Sequence, residues 1–329
     1  MAQFDLPLEQ LQAYHPDVPE PADLDAFWAK TLAESRAAAP GLARFEPADT
    51  LLRGVRVEDV TFPGFGGQPV RAWMLTPRHE PPRGCVVQYM GYNSGRGFAE
   101  QWTLLPSAGY ALFVMDNRGQ GTGATPGWTP DPSSGPAQVA GKVTAGIDDP
   151  HDYYYRRLFT DAVLAVDAAR SHPAVDPARV LVSGGSQGGA IALAAAGLSA
   201  GLLGATVDVP FLSHVRRAVR ITDAAPYSEL VRYLQMRRGA EEDVFRTLDY
   251  FDGVNLARRA HAPALFSVAL GDVVCPPSTV YAAFNAYAGA DKSIEVYPFN
   301  GHEGGQSHHT RRQLAFLDTV FGARQESAV

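Results

Sequence analysis

Six short apolar runs punctuate the second and later parts of the chain: GCVVQYM, ALFVMD, VLVSGG, ATVDVP, ALFSVAL and SIEVYPF, most of them separated by segments of helical periodicity. A strand without polar alternation is buried on both faces, and such strands alternating with helices build a parallel sheet covered on either side. Upstream, VRVEDVTF and PVRAWMLTP alternate polar with apolar residues around the turn material PGFGGQ, which predicts an antiparallel hairpin with one wet face. A first amphipathic helix begins near Asp23, where Leu24, Phe27, Trp28 and Leu32 recur at spacings of three and four. No internal repeat, low-complexity tract or linker divides the 329 residues, so one α/β domain over 1–329 is expected.

Two stretches exceed a minimal strand–helix repeat. The segment 124–152 carries Pro126, Pro130, Pro132, Pro136 and Pro150 and reads as a long loop, a kind usually reserved for function. The segment 212–261 holds HVRRAVRITD, YSELVRYLQMRR and EEDVFRTLDYF, which predict two or three amphipathic helices inserted over one edge of the sheet.

Composition removes several function classes. With 28 Lys+Arg against 35 Asp+Glu, the net charge is −7, which argues against nucleic acid as a partner. Two cysteines, Cys85 and Cys275, exclude a disulfide scaffold and a four-thiolate zinc site. The opening MAQFDLPLEQLQAYHPDVPEP lacks the features of a secretory signal, and even GGAIALAAAGLSAGLLGA is too short of bulky side chains to span a bilayer, so a cytoplasmic protein with no membrane partner is expected.

The chemistry centres on VLVSGGSQGGAIALAAAG. Gly184, Gly185, Ser186, Gln187 and Gly188 satisfy G-x-S-x-G between an aliphatic run and an alanine-rich helix. A serine on such a turn presents its hydroxyl at the C-terminal edge of a sheet, and the glycines let strand and helix approach closely. Without that context the same pattern would mark only a tight turn with a surface serine. Serine needs a base, and the base needs an acid to fix its tautomer. Asp272 ends the run ALFSVALGD and His302 follows SIEVYPFNG, so the order Ser186, Asp272, His302 is that of the α/β-hydrolases.

Other residues compete for these roles by position. Asp208 also ends a strand, but the helical insertion starts just after it, and a capping or loop carboxylate suits it better. His308 and His309 open the last helix and are expected to face solvent or cap it. His302-Glu303 starts like a metalloprotease helix, yet residue 306 is glutamine, so no metal is assigned. Gly119 to Ala124 satisfies G-x-G-x-x-A, but the prolines that follow deny it the helix N-terminus a dinucleotide needs, and no cofactor is expected. For an oxyanion, the backbone N–H groups of Gln187 and of Tyr92, in the loop GYNSGRG, are the candidate donors; a plain glycine-rich connection is the alternative for that loop.

At this point the chain resembles the acetyl xylan esterase and cephalosporin C deacetylase family, carbohydrate esterase family seven. The motifs are Arg118-Gly119-Gln120-Gly121, Gly184 through Gly188, and His302-Glu303, and GDVVCPPST around Asp272 is similar to the family's acid-bearing stretch. The resemblance implies an α/β-hydrolase fold and a serine esterase with Ser186, Asp272 and His302 as nucleophile, acid and base. It implies acetylated sugars, or the acetoxymethyl arm of cephalosporin C, as small-molecule substrates, and a homohexamer to whose interface the proline-rich loop could contribute. Arg118 and Gln120 are then braces for the loops around the site, Arg118 as a buried structural group. A thioesterase or peptidase on the same fold is the runner-up, and a silent hydrolase-like scaffold the reading from another class; peptidase relatives usually carry a further large N-terminal domain, for which the chain has no room.

Overall fold

The structure is a computed structural model that describes residues 3–133, 135 and 141–322. Nine strands form one sheet: β1 (Arg44–Pro47), β2 (Val55–Pro63), β3 (Pro69–Pro77), β4 (Cys85–Tyr89), β5 (Ala111–Met115), β6 (Val180–Gly185), β7 (Gly204–Asp208), β8 (Ala264–Ala269) and β9 (Lys292–Tyr297), in the order β1-β2-β3-β5-β4-β6-β7-β8-β9. The hairpin β2–β3 is antiparallel, as its alternation requires, with Val55 opposite Pro77 and Pro63 opposite Pro69. It joins β5 antiparallel, and from β5 through β4 to β9 every pairing is parallel.

Among the described residues eleven α-helices accompany the sheet: α1 (Leu8–Gln12), α2 (Leu24–Ala37), α3 (Leu104–Ser107), α4 (Tyr154–Ser171), α5 (Gln187–Leu198), α6 (Val215–Ile221), α7 (Tyr227–Met236), α8 (Glu241–Asp249), α9 (Gly253–Ala257), α10 (Pro277–Ala286) and α11 (Gln306–Gly322). The two-sided apolar runs divide by parity. Val87, Phe113, Val182 and Phe266 pack with α2, α4, α5 and α10, while Val86, Leu112 and Leu181 pack with Leu317 and Phe321 of α11 on the other face. Both faces of the central strands are therefore buried, which is why those strands show no alternation.

Three features depart from the sequence reading. β1 was not anticipated, because RFEP is four residues long and mostly exposed. The insertion contains four helices, α6 to α9, where two or three were expected; α9 is a single turn capped by the Asp252 side chain, too short to show periodicity. Within 124–152 the described residues carry one 3-10 turn, Lys142–Thr144, and isolated bridges between Thr122 and Pro126 and between Asp131 and Gly135. Pro136 of that loop lies outside the described residues. Among the described residues no α-helix begins between Gly119 and Tyr153. Among the described residues no helix is long and apolar enough to cross a membrane.

Candidate active site

Ser186 sits between the end of β6 and the first residue of α5, with φ 59° and ψ −122°. A non-glycine residue there costs on the order of 1–3 kcal/mol and persists only where its surroundings impose it. They do so closely. A Cβ on Gly184 would lie 2.1 Å from the Gly188 carbonyl oxygen, and one on Gly188 would lie 2.5 Å from that of Tyr89. The Ser186 N–H donates to the Asp208 carbonyl at 2.9 Å, tying the turn to the neighbouring strand.

From that turn the Ser186 hydroxyl meets His302 Nε2 at 2.9 Å, and His302 Nδ1 meets Asp272 Oδ2 at 2.9 Å. Asp272 is fully buried, and its other oxygen accepts the N–H groups of Val274 (2.8 Å) and Cys275 (2.9 Å). With Nδ1–H donating to Asp272, Nε2 is left as the acceptor that faces the serine. The three residues come from the ends of β6, β8 and β9, so the sheet brings together groups 116 and 30 positions apart. Glu303 shapes the loop that carries the histidine: its carboxylate accepts from Asn300 Nδ2 and from the Gly301 N–H, both at 3.0 Å. Its own backbone N–H and these two donors hold that carboxyl below the usual range.

Gln187 is fully buried, and its side-chain amide links three elements. Oε1 accepts from Tyr155 (2.9 Å) and from Gln120 Nε2 (3.0 Å), and Nε2 donates to the Gly91 carbonyl at 3.2 Å. Its backbone N–H belongs to the first turn of α5, where helix N–H groups lack intrahelical acceptors. Gln120 also accepts from the Asn93 N–H at 2.6 Å and donates to Tyr154 at 2.8 Å. It therefore joins the loop after β4 to the serine turn. Arg118 is buried and donates to Asp161 through Nε (2.5 Å) and Nη2 (2.7 Å), a bidentate pair, and to Gln68 through Nη1 (2.6 Å). Tyr92 lies on the same loop; its hydroxyl donates to Glu229 of α7 at 3.0 Å and accepts from the Val143 N–H at 3.3 Å. Burial, with the Glu229 carboxylate beside it, raises the Tyr92 phenol above its ordinary range.

Two expectations are corrected. His309 neither faces solvent nor caps a helix: it is 4% exposed, its Nε2 lies 2.6 Å from Asp208 Oδ1, and its Nδ1 lies 3.0 Å from the Tyr297 hydroxyl. Asp208 is accordingly the anchor of α11 rather than a capping or loop carboxylate, and it also accepts from Gln313 (2.6 Å) and Ser267 (3.2 Å). His308 is exposed as expected. Further residues were not foreseen. Asn117 donates through Nδ2 to the carbonyls of Met90 (3.2 Å), Gly91 (3.3 Å) and Ser94 (2.9 Å), fixing the Tyr92 loop, and Glu229 joins that loop to the insertion. Asn117 adjoins the Arg118 motif and could have been suspected from that. Glu229 had no local signal. Cys275 is fully buried beside Asp272, and burial pushes its thiol well above the ordinary range, as a small apolar filler's would be.

A strained serine turn at the C-terminal edge of a mostly parallel sheet, with an aspartate and a histidine delivered by the second and third strands after it, defines the α/β-hydrolase fold. The family profile described as acetyl xylan esterase (AXE1) matches residues 1–320, and the chain belongs to that family. It is similar to a solved acetyl xylan esterase from Paenibacillus sp. R4, with 38% identity and a TM-score of 0.87 over 95% of this chain and 99% of that one. It is also similar to acetyl xylan esterase 1 from Thermoanaerobacterium sp. JW/SL YS485, with 31% identity and a TM-score of 0.87 over 96% and 99% of the two chains. The acetyl esterase Axe7A of Xylanibacter ruminicola is 33% identical over 162 residues, 49% of this chain and 36% of that protein, so the match spans about a third of that relative's length. A puromycin-hydrolysing peptidase of Mycobacterium tuberculosis, 21% identical with a TM-score of 0.60 over 84% of this chain and 41% of that one, shares the fold alone.

Proposed function

We propose that the protein is a serine esterase that removes acetyl groups from short O-acetylated xylo-oligosaccharides. One observation carries the reading: the unbroken line from the Ser186 hydroxyl through both ring nitrogens of His302 to buried Asp272, at 2.9 Å and 2.9 Å. His302 Nε2 takes the serine proton as Oγ attacks the acetyl carbonyl carbon. Asp272 stabilises the resulting imidazolium without itself being protonated. The backbone N–H groups of Tyr92 and Gln187 hold the oxyanion, a task whose loss costs ~10²–10³ in turnover per donor. The imidazolium then protonates the departing sugar oxygen, leaving an acetyl group on Ser186. Water, deprotonated by the same imidazole, attacks that ester and releases acetate.

The helical insertion supports a short acyl group. Glu229 of α7 holds the Tyr92 hydroxyl, and Phe211, whose N–H donates to the Ser186 carbonyl at 3.0 Å, packs against Tyr227. The insertion is thus tied by its first residues to the serine turn and by Glu229 to the Tyr92 loop. Cephalosporin C, which offers the same acetyl ester on a small leaving group, is the second substrate of this reading. A homohexamer is its assembly and the cytoplasm its compartment, and two free, buried cysteines suit a reducing environment.

Acetate release from acetylated xylobiose, acetylxylan and cephalosporin C by the purified protein and by Ser186→Ala tests the reading. Rapid release from the oligosaccharide, abolished in the variant, is expected; equal rates on intact polymer would remove the oligosaccharide preference. Faster cleavage of p-nitrophenyl octanoate than of the acetate would remove the short-acyl claim. Sedimentation velocity tests the hexamer, a monomer being the contrary result.

A further inference from the structure

Away from the triad, the outer hairpin and the loops after β4 and β5 enclose a recess of about 520 Å³ lined by Asp59, Arg71, Trp73, Arg96, Phe98 and Trp128. Phe98 and Trp128 are 57% and 46% exposed, and their rings meet edge to face with centroids 5.6 Å apart. Clustered rather than single exposed aromatics are the kind of surface at which ligands or partners bind. The Arg96 guanidinium lies 3.9 Å from the Trp73 ring centroid and 5.4 Å from that of Trp128, so it stiffens both walls. Its Nη1 donates to Asp59 (2.7 Å) and to the Ala72 carbonyl (2.6 Å), and Arg71 donates to the same aspartate.

The recess is built on a single buried carboxylate. Asp116, fully buried at the end of β5, accepts the Arg96 N–H at 2.8 Å through one oxygen. Through the other it accepts the N–H groups of Trp128 and Thr129, both at 2.7 Å, and the Thr129 hydroxyl at 3.0 Å. That hydroxyl accepts the Arg71 N–H at 2.9 Å in turn, and the Trp73 indole N–H donates to the Gly97 carbonyl at 2.9 Å. A buried carboxylate is retained only when its donors satisfy it, and here those donors include the backbones of two lining residues, Arg96 and Trp128. The exposed tryptophan therefore stands on a rigid support, and little order remains to be imposed when something binds to it.

We propose that this recess is a second saccharide site, which holds an unacetylated sugar ring of the oligosaccharide outside the catalytic cleft; the substrate class rests on the function proposed above. A pyranose has apolar C–H faces that lie flat on aromatic rings, and hydroxyls at its rim that pair with planar guanidinium and carboxylate groups. Trp128 and Phe98 supply the first, Arg71 and Asp59 the second. The two guanidiniums of Arg71 and Arg96 are balanced by the two carboxylates of Asp59 and Asp116, so the recess suits a neutral sugar better than a phosphate or an acidic peptide. Its size falls among small-ligand sites, which run from roughly 300 to 1,000 Å³.

Titrating the full-length protein with unacetylated xylotriose, read by tryptophan fluorescence and repeated by calorimetry, tests the proposal. Saturable binding is expected, weakened about tenfold or more in Trp128→Ala, about 1.4 kcal/mol, and largely restored in Trp128→Phe. Phe98→Ala, an independent variant of an exposed side chain, should weaken it as well. Hydrolysis of p-nitrophenyl acetate should be unchanged in Trp128→Ala while KM for acetylated xylotetraose rises and kcat holds. Absence of saturable binding, equal binding by wild type and Trp128→Ala, or an oligomer that dissociates in Trp128→Ala with no change in sugar affinity would overturn it. The last result would make the aromatic pair a contact between copies of the chain. Acetate release is measured separately: xylotriose binding without esterase activity would sink the function proposed above and leave this site standing.

Discussion

Two aspartate–histidine pairs lie at the same edge of the sheet and do different work. In one, buried Asp272 holds His302 at 2.9 Å, and the imidazole, 32% exposed, turns its other nitrogen to Ser186. In the other, Asp208 holds His309 at 2.6 Å, the imidazole is 6% exposed, and its other nitrogen meets the Tyr297 hydroxyl. Pairing with a carboxylate is thus not what sets the proposed base apart; His302 differs in turning its other nitrogen toward Ser186 at a partly exposed place. The second pair is nonetheless connected to the first. Asp208 receives the Ser186 N–H on its carbonyl and anchors, through His309 and Gln313, the helix that follows the His302 loop. One residue therefore ties both the turn that carries the proposed nucleophile and the helix after the proposed base.

The largest effects should separate the pairs. His302→Ala is expected to lower kcat/KM by ~10⁴–10⁶ with the thermal midpoint almost unchanged, whereas His309→Ala should stay within about tenfold of wild type. Comparable losses in the two variants would break the comparison. Asp272→Asn sharpens it, because an amide in place of the carboxylate favours the wrong imidazole tautomer; a loss of ~10⁴ is expected, against less than about tenfold for Asp208→Asn.

Stability should run the other way. Asp208→Ala leaves the buried His309 and the half-buried Gln313 without their acceptor, a change of on the order of 3 kcal/mol, readable by chemical denaturation. A substitution at Asp208 that cost nothing would show that α11 is held by its apolar contacts alone.

A third histidine, His214, marks what happens without a carboxylate partner. Burial first, then the charges of Arg217 and Arg220, push it down to about 4. In the unfolded chain it titrates near 6.5, so between pH 6.5 and 4 the unfolded state takes up a proton that the fold refuses. Stability is therefore fully present above that window and falls as the pH drops through it. The thermal midpoint at pH 5 should lie below that at pH 7.5, with the gap narrowed in His214→Asn; an unchanged gap would remove His214 as the source.

These pairs also mark how far the sequence could be read. Ser186, Asp272 and His302 were legible because each follows an apolar run at a glycine-bearing turn, where a parallel sheet collects its strand ends. His309 was not, because a histidine in the first turn of a helix looks solvent-facing until the strand beneath it is placed, and its partner lies 101 positions away. Glu229 escaped for the same reason, sitting on a helix whose contact with Tyr92 is set by the docking of the insertion rather than by its own periodicity. The eight longer strands were visible through burial on one or both faces. β1 was not, since RFEP buries too little to leave a pattern.

The smallest expected effect tests how separable the two pairs are. Tyr297 does two things: its hydroxyl meets His309, and its ring packs on Gly305 so closely that a Cβ there would lie 2.4 Å from it. Gly305 closes the loop that carries His302, so the ring belongs with the Asp272–His302 pair and the hydroxyl with the Asp208–His309 pair. Tyr297→Phe removes only the hydroxyl. The lost hydrogen bond and the unpaired His309 nitrogen should cost about 1 kcal/mol of stability. The ring still seats Gly305, so kcat and KM for acetylated xylobiose should stay within about twofold of wild type. If kcat instead falls more than about tenfold while stability holds, strain passes from His309 through Tyr297 to His302, and the two pairs form one mechanical unit.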